Sequence, residues 1–214
     1  MRNKKGQIFI LSDKKHSPVQ TGYFERLLCG DCEALLSKYE TEFDKNWMKT
    51  IPSNISHLLY KRRGNVLTVT IPDYTKFKLF HLSILWRAAV SSFNLDISIS
   101  LGEYERVIAQ MILSGDPGQP GDFPFVGSLN YNDHGVPVPT VTPMAKSEIK
   151  VEGSDCYMLS YAYCDWIFMV GCPGGEWSRL EEQMRAAGVY LLLSTHFRDA
   201  KSFHLFVDRL RKSR

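Results

Sequence analysis

Two cysteines with the spacing of a metal-ligand pair or a redox dithiol stand out in this sequence, in the run Leu28-Cys29-Gly30-Asp31-Cys32-Glu33. Such spacing lets two thiolates bind one metal ion, or two thiols form one redox-active pair. The pair stands at the head of a predicted helix, where free amide groups and the helix dipole stabilise thiolates. In zinc modules of the treble-clef type, the first turn of such a helix supplies two of four ligands. We therefore predict Cys29 and Cys32 as zinc ligands.

The other zinc ligands are harder to assign, because the sequence has no second Cys-x-x-Cys and no paired-His motif. His16 is the only histidine upstream of Cys29. A closed site would combine His16 with one of three later cysteines, which are Cys156, Cys164 and Cys172. A redox dithiol is the alternative, but it calls for a buried strand before the helix, and Tyr23–Leu27 does not form a convincing one. Zinc is therefore the favoured ligand, with two coordination positions unassigned.

A carboxylate-lysine triplet, Glu148-Ile149-Lys150, suggests a second kind of metal chemistry. In restriction-type nucleases a carboxylate of such a triplet binds Mg²⁺ while the lysine assists hydrolysis. Asp133 is the nearest upstream carboxylate that would complete the site. As a motif the triplet has little specificity, since it is short and built from common residues. It nevertheless defines an alternative function, that of an active metal-dependent nuclease.

Basic residues concentrate in the first third of the sequence and suggest a nucleic-acid surface. Residues 1–63 hold 12 Lys and Arg against 7 Asp and Glu, although the whole chain carries a formal charge of only +3. Lys61, Arg62 and Arg63 would hold phosphate oxygens while the neighbouring Tyr60 stacks on a base. We predict these three residues as nucleic-acid-binding, with a solvated turn as the plain alternative.

A structural ion pair is predicted for Arg87, which lies on the most apolar predicted helix. An unpaired charge in such a place costs free energy. Glu33 and Glu40 are seven residues apart and therefore share one face of their predicted helix. We expect one of them to pair with Arg87.

Composition places the chain among ordinary globular proteins, with 214 residues of which 44% are hydrophobic and 23% charged. Its five cysteines are an odd number, which argues against a secreted disulfide framework. The apolar stretches are too short for a signal-peptide core or a membrane span. We therefore expect a cytoplasmic protein without a membrane partner.

Helical periodicity dominates the first half of the sequence and two-residue alternation the second. The predicted helices are 23–47, 53–60, 73–93, 100–113 (opened by a Ser100/Glu103 capping box), 176–187 and 200–211. The predicted strands are 8–11, 66–71, 125–131, 138–142, 148–151, 157–163, 166–170 and 189–194. This order predicts an α+β fold, with an N-terminal helical, treble-clef-like remnant before a mainly antiparallel sheet and its flanking helices. The domains would be a degenerate zinc-finger-like segment, 1–72, and an α+β domain, 73–214, or one continuous unit.

Several of these residues together resemble a known family. The Gly22-Tyr23 pair, the segment from Leu28 to Glu33, Tyr39-Glu40 and Phe80 with Ser83-Ile84-Leu85-Trp86-Arg87 look like a largely uncharacterised bacterial family related to HNH endonucleases. The resemblance covers roughly residues 20–115. It implies a treble-clef ancestry, zinc at Cys29 and Cys32, and an association with nucleic acid.

The sequence departs from that family where the chemistry lies. Members begin with a further Cys-x-x-Cys and a His-Ile-Ile-Pro-like run, which supply the other zinc ligands and the nuclease histidine. This sequence has neither, so either it starts inside the module or it is a variant that lost the first knuckle. The resemblance therefore implies an HNH-related, nucleic-acid-associated or accessory protein without a complete nuclease centre, in bacterial defence. The alternatives are the active nuclease and a non-enzymatic module that binds a protein partner.

Overall fold

A central helix, buried on almost every side, and a mostly antiparallel sheet beneath it organise this protein. The computed structural model describes residues 8–9, 18–19, 27–49, 51, 66–92, 99–148, 150–151 and 153–196. Across these ranges the four α-helices are α1 (Gly30–Phe43), α2 (Tyr74–Val90), α3 (Tyr104–Ser114) and α4 (Glu176–Ala187), and a π-helical turn, Asp44–Met48, extends α1. None of these helices combines the length and apolar character needed to cross a bilayer.

Six strands form the main sheet, in the order β3-β8-β4-β7-β6-β5. They are β3 (Val66–Thr70), β4 (Phe125–Tyr131), β5 (Ala145–Lys146), β6 (Asp155–Tyr161), β7 (Cys164–Val170) and β8 (Val189–His196). Only β4 and β8 run parallel within this sheet, and the other neighbouring strands are antiparallel. A separate pair, β1 (Ile8–Phe9) and β2 (Pro18–Val19), is antiparallel. This architecture confirms the predicted α+β class.

Alternating residues of the central strands build the face of the sheet that packs against α2. Phe125 of β4 lies opposite Phe168 of β7, and Gly127 lies opposite Trp166. A Cβ atom on Gly127 would approach the Trp166 ring to 2.6 Å. Glycine at this point therefore leaves room for the Trp166 ring, which is fully buried.

Helix α2 fills the interior, as its broad apolar surface predicts. Its N-cap, Asp73, accepts a hydrogen bond from the Lys76 amide at 3.0 Å, which satisfies one of the amides at the helix start. Leu79, Leu82 and Leu85 have no exposed surface. The helix is thus held by packing on several sides and not by one amphipathic face.

Residues on both sides of the predicted domain division at 72/73 contribute to one core. Strand β3, before the division, pairs with β8 after it, and Val69 lies opposite Tyr190. Helix α1 buries Leu36 and Phe43 in the same cluster. The rings of Phe43 and Phe80 stack at 4.0 Å between centroids.

Two predicted helix starts are wrong. Helix α1 begins at Gly30 and not near Tyr23, because Cys29 has the extended backbone of an N-cap (φ −80°, ψ 167°). The Ser100/Glu103 capping box is absent, because Gly102 adopts φ +56° and a tight turn places Glu103 itself at the cap of α3. The Ser100 carbonyl instead accepts a hydrogen bond from the Tyr157 hydroxyl at 2.6 Å.

The predicted strands 138–142 and 148–151 are wrong as well. Pro139 interrupts the first of these segments and Pro137 and Pro143 flank it, and proline cannot donate a ladder hydrogen bond. The segment instead crosses beside β6, where the Thr142 amide donates to the Ser160 carbonyl at 3.0 Å. The short strand β5 forms after it. The predicted helices 53–60 and 200–211 lie outside the described residues.

His81 of α2 lies in the middle of the aromatic core with no exposed surface. Its ring centroid is 4.4, 4.5 and 4.2 Å from those of Phe77, Phe125 and Trp166. Nδ1 donates to the Phe77 carbonyl at 2.7 Å, and Nε2 finds no partner among the described residues. Burial in this apolar cage lowers the pKa of His81 to about 3, so the folded protein holds the ring neutral.

A pH dependence of stability follows. The unfolded chain takes up a proton on His81 below its ordinary pKa of 6.5, whereas the folded chain does not until about pH 3. The stabilisation is therefore complete above pH 6.5 and falls by about 1.4 kcal/mol per pH unit below it. Denaturant unfolding should show that the free energy of unfolding falls less between pH 7 and pH 5 in His81→Leu than in the parent chain. The exposed His134→Asn control should retain the parental loss, and equal losses in all three chains would contradict a neutral buried His81.

Lys78 of α2 is buried together with its counter-ion. Its Nζ lies 2.7 Å from Oε1 of Glu181 on α4, with side-chain exposures of 0% and 5%. Arg185 donates to the same carboxylate at 2.6 Å, and the Gly121 amide donates to Oε2 at 2.8 Å. Burial lowers the pKa of Lys78, and the Glu181 charge opposes that shift. This network joins α2 to α4 and to the loop before β4.

Glu181→Gln should destabilise the protein by about 3–5 kcal/mol, because it leaves the Lys78 charge buried without a full counter-charge. Glu182→Gln, on the exposed face of the same helix, should change stability by no more than about 0.5 kcal/mol. The double variant Lys78→Met/Glu181→Leu should recover most of the loss. Equal unfolding free energies for Glu181→Gln and Glu182→Gln would contradict this assignment.

Candidate thiol site

The start of α1 holds Cys29 and Cys32 on one side of the first turn. Cys29 is the N-cap, and its carbonyl accepts the first intrahelical hydrogen bond, from the Glu33 amide at 3.0 Å. Cys32 follows three positions later, where residues share a helix face. Cys29 is exposed and Cys32 is half-buried. One thiol therefore meets solvent while the other is partly covered.

The two thiols have different electrostatic environments. Cys29 makes no side-chain capping hydrogen bond. The nearby polar groups of Cys32, its amide first and then its thiol, nevertheless lower the pKa of Cys29. The pKa of Cys32 is raised, first by its interaction with the Cys29 side chain and then by partial burial. The Asp31 carboxylate works against ionisation of both thiols. Cys29 is thus the thiol that ionises more easily.

An apolar groove of about 230 Å³ adjoins the two cysteines. The groove lies between α1, α2 and α3, and its other lining residues are Leu27, Leu28, Leu35, Leu36, Trp86, Ala109, Ile112 and Leu113. The Tyr39 hydroxyl donates to the Ile112 carbonyl at 3.0 Å inside the core, which ties α1 to α3. Local sequence patterns do not predict this groove, because its walls come from three helices that only the fold brings together.

The arrangement supplies two soft ligands to a metal or one dithiol, but the described residues supply no further ligand. Within those ranges no group of three or more His, Cys, Asp or Glu side chains is placed to hold a metal ion. Cys156 and Cys164 are buried in the sheet, as small apolar residues are. Cys172 is half-buried in the loop after β7 and does not join the pair. His16 lies outside the described residues.

Arg87 pairs with Glu40, one of its two predicted partners. Arg87 Nη1 lies 2.9 Å from Glu40 Oε1, with side-chain exposures of 30% and 44%. The guanidinium also donates to the Ser83 carbonyl at 3.3 Å. Glu33 is exposed in the first turn of α1 and not in this contact. Since water screens the pair, its role is to orient α1 against α2 and its contribution to stability is small.

The residues of the alternative nuclease site do not gather. Asp133 lies in the exposed turn after β4, and Glu148 is exposed in a bend beyond β5. Lys150 Nζ lies 3.6 Å from Asp155, whose other oxygen binds Lys146 at 2.7 Å. Lysines 146 and 150 therefore neutralise Asp155 at the start of β6. The predicted nucleic-acid residues Lys61, Arg62 and Arg63 lie outside the described residues.

A second apolar cleft, of about 270 Å³, opens between α4 and the outer part of the sheet. Trp177, Leu180 and Met184 of α4 form one wall. The carboxylate of Glu181 reaches this cleft, but Lys78, Arg185 and the Gly121 amide already bind it. Glu181 therefore has a structural role, and the candidate functional site is the pair of Cys29 and Cys32.

Alkylation at neutral pH should modify Cys29 first. Its thiol is exposed and ionises more easily, whereas burial raises the pKa of Cys164. Asp31→Asn should lower the pKa of Cys29 further and speed its modification, since the Asp31 carboxylate opposes ionisation. Peptide mass spectrometry after iodoacetamide treatment measures the rates, with Cys172 as the internal control. Equal rates at Cys29 and Cys172 would contradict the assignment.

Comparison with protein-family models, with curated proteins and with solved structures found no match. No relative therefore assigns this chain to a family or gives it an activity. A functional proposal depends on the chemistry of its own side chains.

Proposed function

We propose that this chain is a nucleic-acid-associated accessory protein without a complete nuclease centre of its own. Its Cys29 and Cys32 form one half of a treble-clef-like zinc module. One observation carries this proposal: the two thiols occupy the N-cap and the first turn of α1, and the first of them is the easier to ionise. A zinc ion requires thiolates, so a site with one readily ionised thiol favours it.

Cys29 and Cys32 would supply two of the four zinc ligands. His16 is one candidate for the remaining positions, and a partner molecule is another source. The sequence before α1 is basic, as are Lys61, Arg62 and Arg63, and together they account for the basic excess of residues 1–63. That segment and the residues Lys61, Arg62 and Arg63 would then hold nucleic acid through its phosphates. The cytoplasm, where thiols stay reduced, suits such a site.

Metal analysis of the purified full chain tests the zinc half of the proposal. We expect about one zinc per chain, because a closed site needs all four ligands to bind tightly. The double variant Cys29→Ser/Cys32→Ser should lose the metal, and Cys172→Ser should keep it. A zinc content well below one equivalent in the parent chain would overturn the zinc module.

Binding to duplex DNA and to single-stranded RNA at several salt concentrations tests the other half. The affinity should fall as salt rises, by a logarithmic slope of about 0.9 per phosphate contact on duplex DNA. Alanine at Lys61, Arg62 and Arg63 together should weaken binding and flatten that slope. Alanine at two exposed helical arginines, Arg106 and Arg179, is the control and should change neither. A salt-independent affinity in the parent chain would remove nucleic acid as the partner.

A further inference from the structure

The apolar cleft between α4 and the sheet has the general character of a small-molecule site. Its volume is about 270 Å³, and its walls combine residues of α2, α4, β3, β4 and β8. Most of the lining is apolar, and it includes Trp177, Leu180 and Leu193. Sites for small molecules are concave and mostly apolar, with a few polar groups that orient the ligand. The cleft shares no lining residue with the groove beside Cys29 and Cys32.

Contacts among the lining residues hold the walls of the cleft in place. The Leu191 amide donates to the Met184 sulfur at 3.4 Å, which ties β8 to α4. The buried ion pair of Glu181 joins α4 to α2. The rings of Phe125 and Tyr190 stack at 5.5 Å between centroids, and the Tyr190 hydroxyl donates to the Phe125 carbonyl at 2.7 Å. The cleft is therefore formed without a ligand, so binding costs little in ordering the protein.

Tyr74 brings to the cleft a hydroxyl that the fold does not use. The residue is only 9% exposed, and its hydroxyl has no hydrogen-bond partner among the described residues. Unlike the Tyr161 hydroxyl, it is not closed off inside the core. The other buried polar side chains of the lining, Glu181 and Tyr190, are already hydrogen-bonded within the protein. A polar group that is buried without a partner costs free energy, and a ligand that bonds it would remove that cost.

The Tyr74 hydroxyl is neutral and favours a neutral ligand. Burial, and then the negative charge of Glu181, raise the pKa of Tyr74 above its ordinary value of 10. The hydroxyl therefore keeps its proton at neutral pH and can donate it in a hydrogen bond. Because the Glu181 charge opposes a second negative charge beside it, an uncharged acceptor on the ligand suits this position better than a carboxylate.

Volume and lining together indicate the class of ligand. An apolar cavity of about 150 Å³ binds benzene, so a cleft of about 270 Å³ has room for about two fused rings. Four aromatic side chains contribute to the walls, and aromatic rings pack well against one another in offset or edge-on arrangements. These four are Tyr74, Phe125, Trp177 and Tyr190. A flat aromatic molecule fits such walls better than a branched aliphatic one.

We propose that this cleft binds a neutral bicyclic aromatic molecule with one hydrogen-bond acceptor, which accepts a hydrogen bond from the Tyr74 hydroxyl. This ligand site goes beyond the zinc and nucleic-acid functions proposed above. It depends on neither of them, because the cleft and the thiol groove have no residue in common.

Equilibrium dialysis of the full chain against 2-naphthol and against naphthalene tests the role of the hydroxyl. Both probes should bind saturably at one molecule per chain. Tyr74→Phe should weaken the binding of 2-naphthol about three- to tenfold, the net effect of one hydrogen bond, and leave that of naphthalene unchanged. Since the hydroxyl bonds no described residue, this variant should unfold at the parental temperature. Absence of saturable binding in the parent chain, or an equal change for both probes in the variant, would overturn the proposal.

Two matched leucine variants locate the bound probes. Leu193 lines the cleft with 43% of its surface exposed, and Leu113 lines the groove beside the cysteines with 54% exposed. Because both side chains already meet water, glutamine at either position should leave the fold intact. Leu193→Gln should weaken the binding of both probes several-fold, whereas Leu113→Gln should change neither. Weaker binding in Leu113→Gln alone, or equal affinities in all three chains, would overturn the assignment of the ligand to this cleft.

Discussion

Burial of α2 on almost every side is the constraint from which the rest of this structure follows. A helix in that position must leave no unpaired charge in the interior. His81 meets this demand by remaining neutral among aromatic rings, and Lys78 meets it through Glu181. Ser83 donates to the Phe80 carbonyl one turn back, at 2.7 Å. The contacts of His81 and Lys78 also join α2 to neighbouring elements, which are β4, β7 and α4.

Contacts between α2 and its neighbouring helices position the thiol site. Helix α1 lies against α2 through the stacked rings of Phe43 and Phe80, and Tyr39 ties it to α3. Arg87 and Glu40 orient the same two helices near the surface. Because these contacts hold the three helices together, the first turn of α1 stands beside a groove whose walls are packed against the core.

The zinc proposal depends on a property of the helix start. Amide groups at the beginning of α1 favour a thiolate on Cys29, and the thiolate is the form of cysteine that binds a metal. Two further ligands would complete the site.

Local patterns were enough to predict the α+β class, the central helix and the strands of the β6–β7 hairpin. Each of these features is predicted by a hydrophobic periodicity that can be recognised over a few residues. The strands predicted between residues 138 and 151 are wrong. Three prolines lie in or beside the first of them, and the alternation of apolar residues alone takes no account of proline. The parallel pairing of β4 with β8 joins segments that are far apart in sequence, so no local hydrophobic periodicity predicts it.

At the candidate site, the sequence by itself determined the two cysteines, their spacing and a helix that includes them, because these depend on neighbouring residues only. The structure decided that this helix begins at Gly30, directly after Cys29. Tertiary structure decided that Glu40 and not Glu33 meets Arg87, and that Cys156 and Cys164 are withdrawn into the sheet. It also built the groove from α1, α2 and α3. Such features join residues distant along the chain, and packing in three dimensions is what selects them.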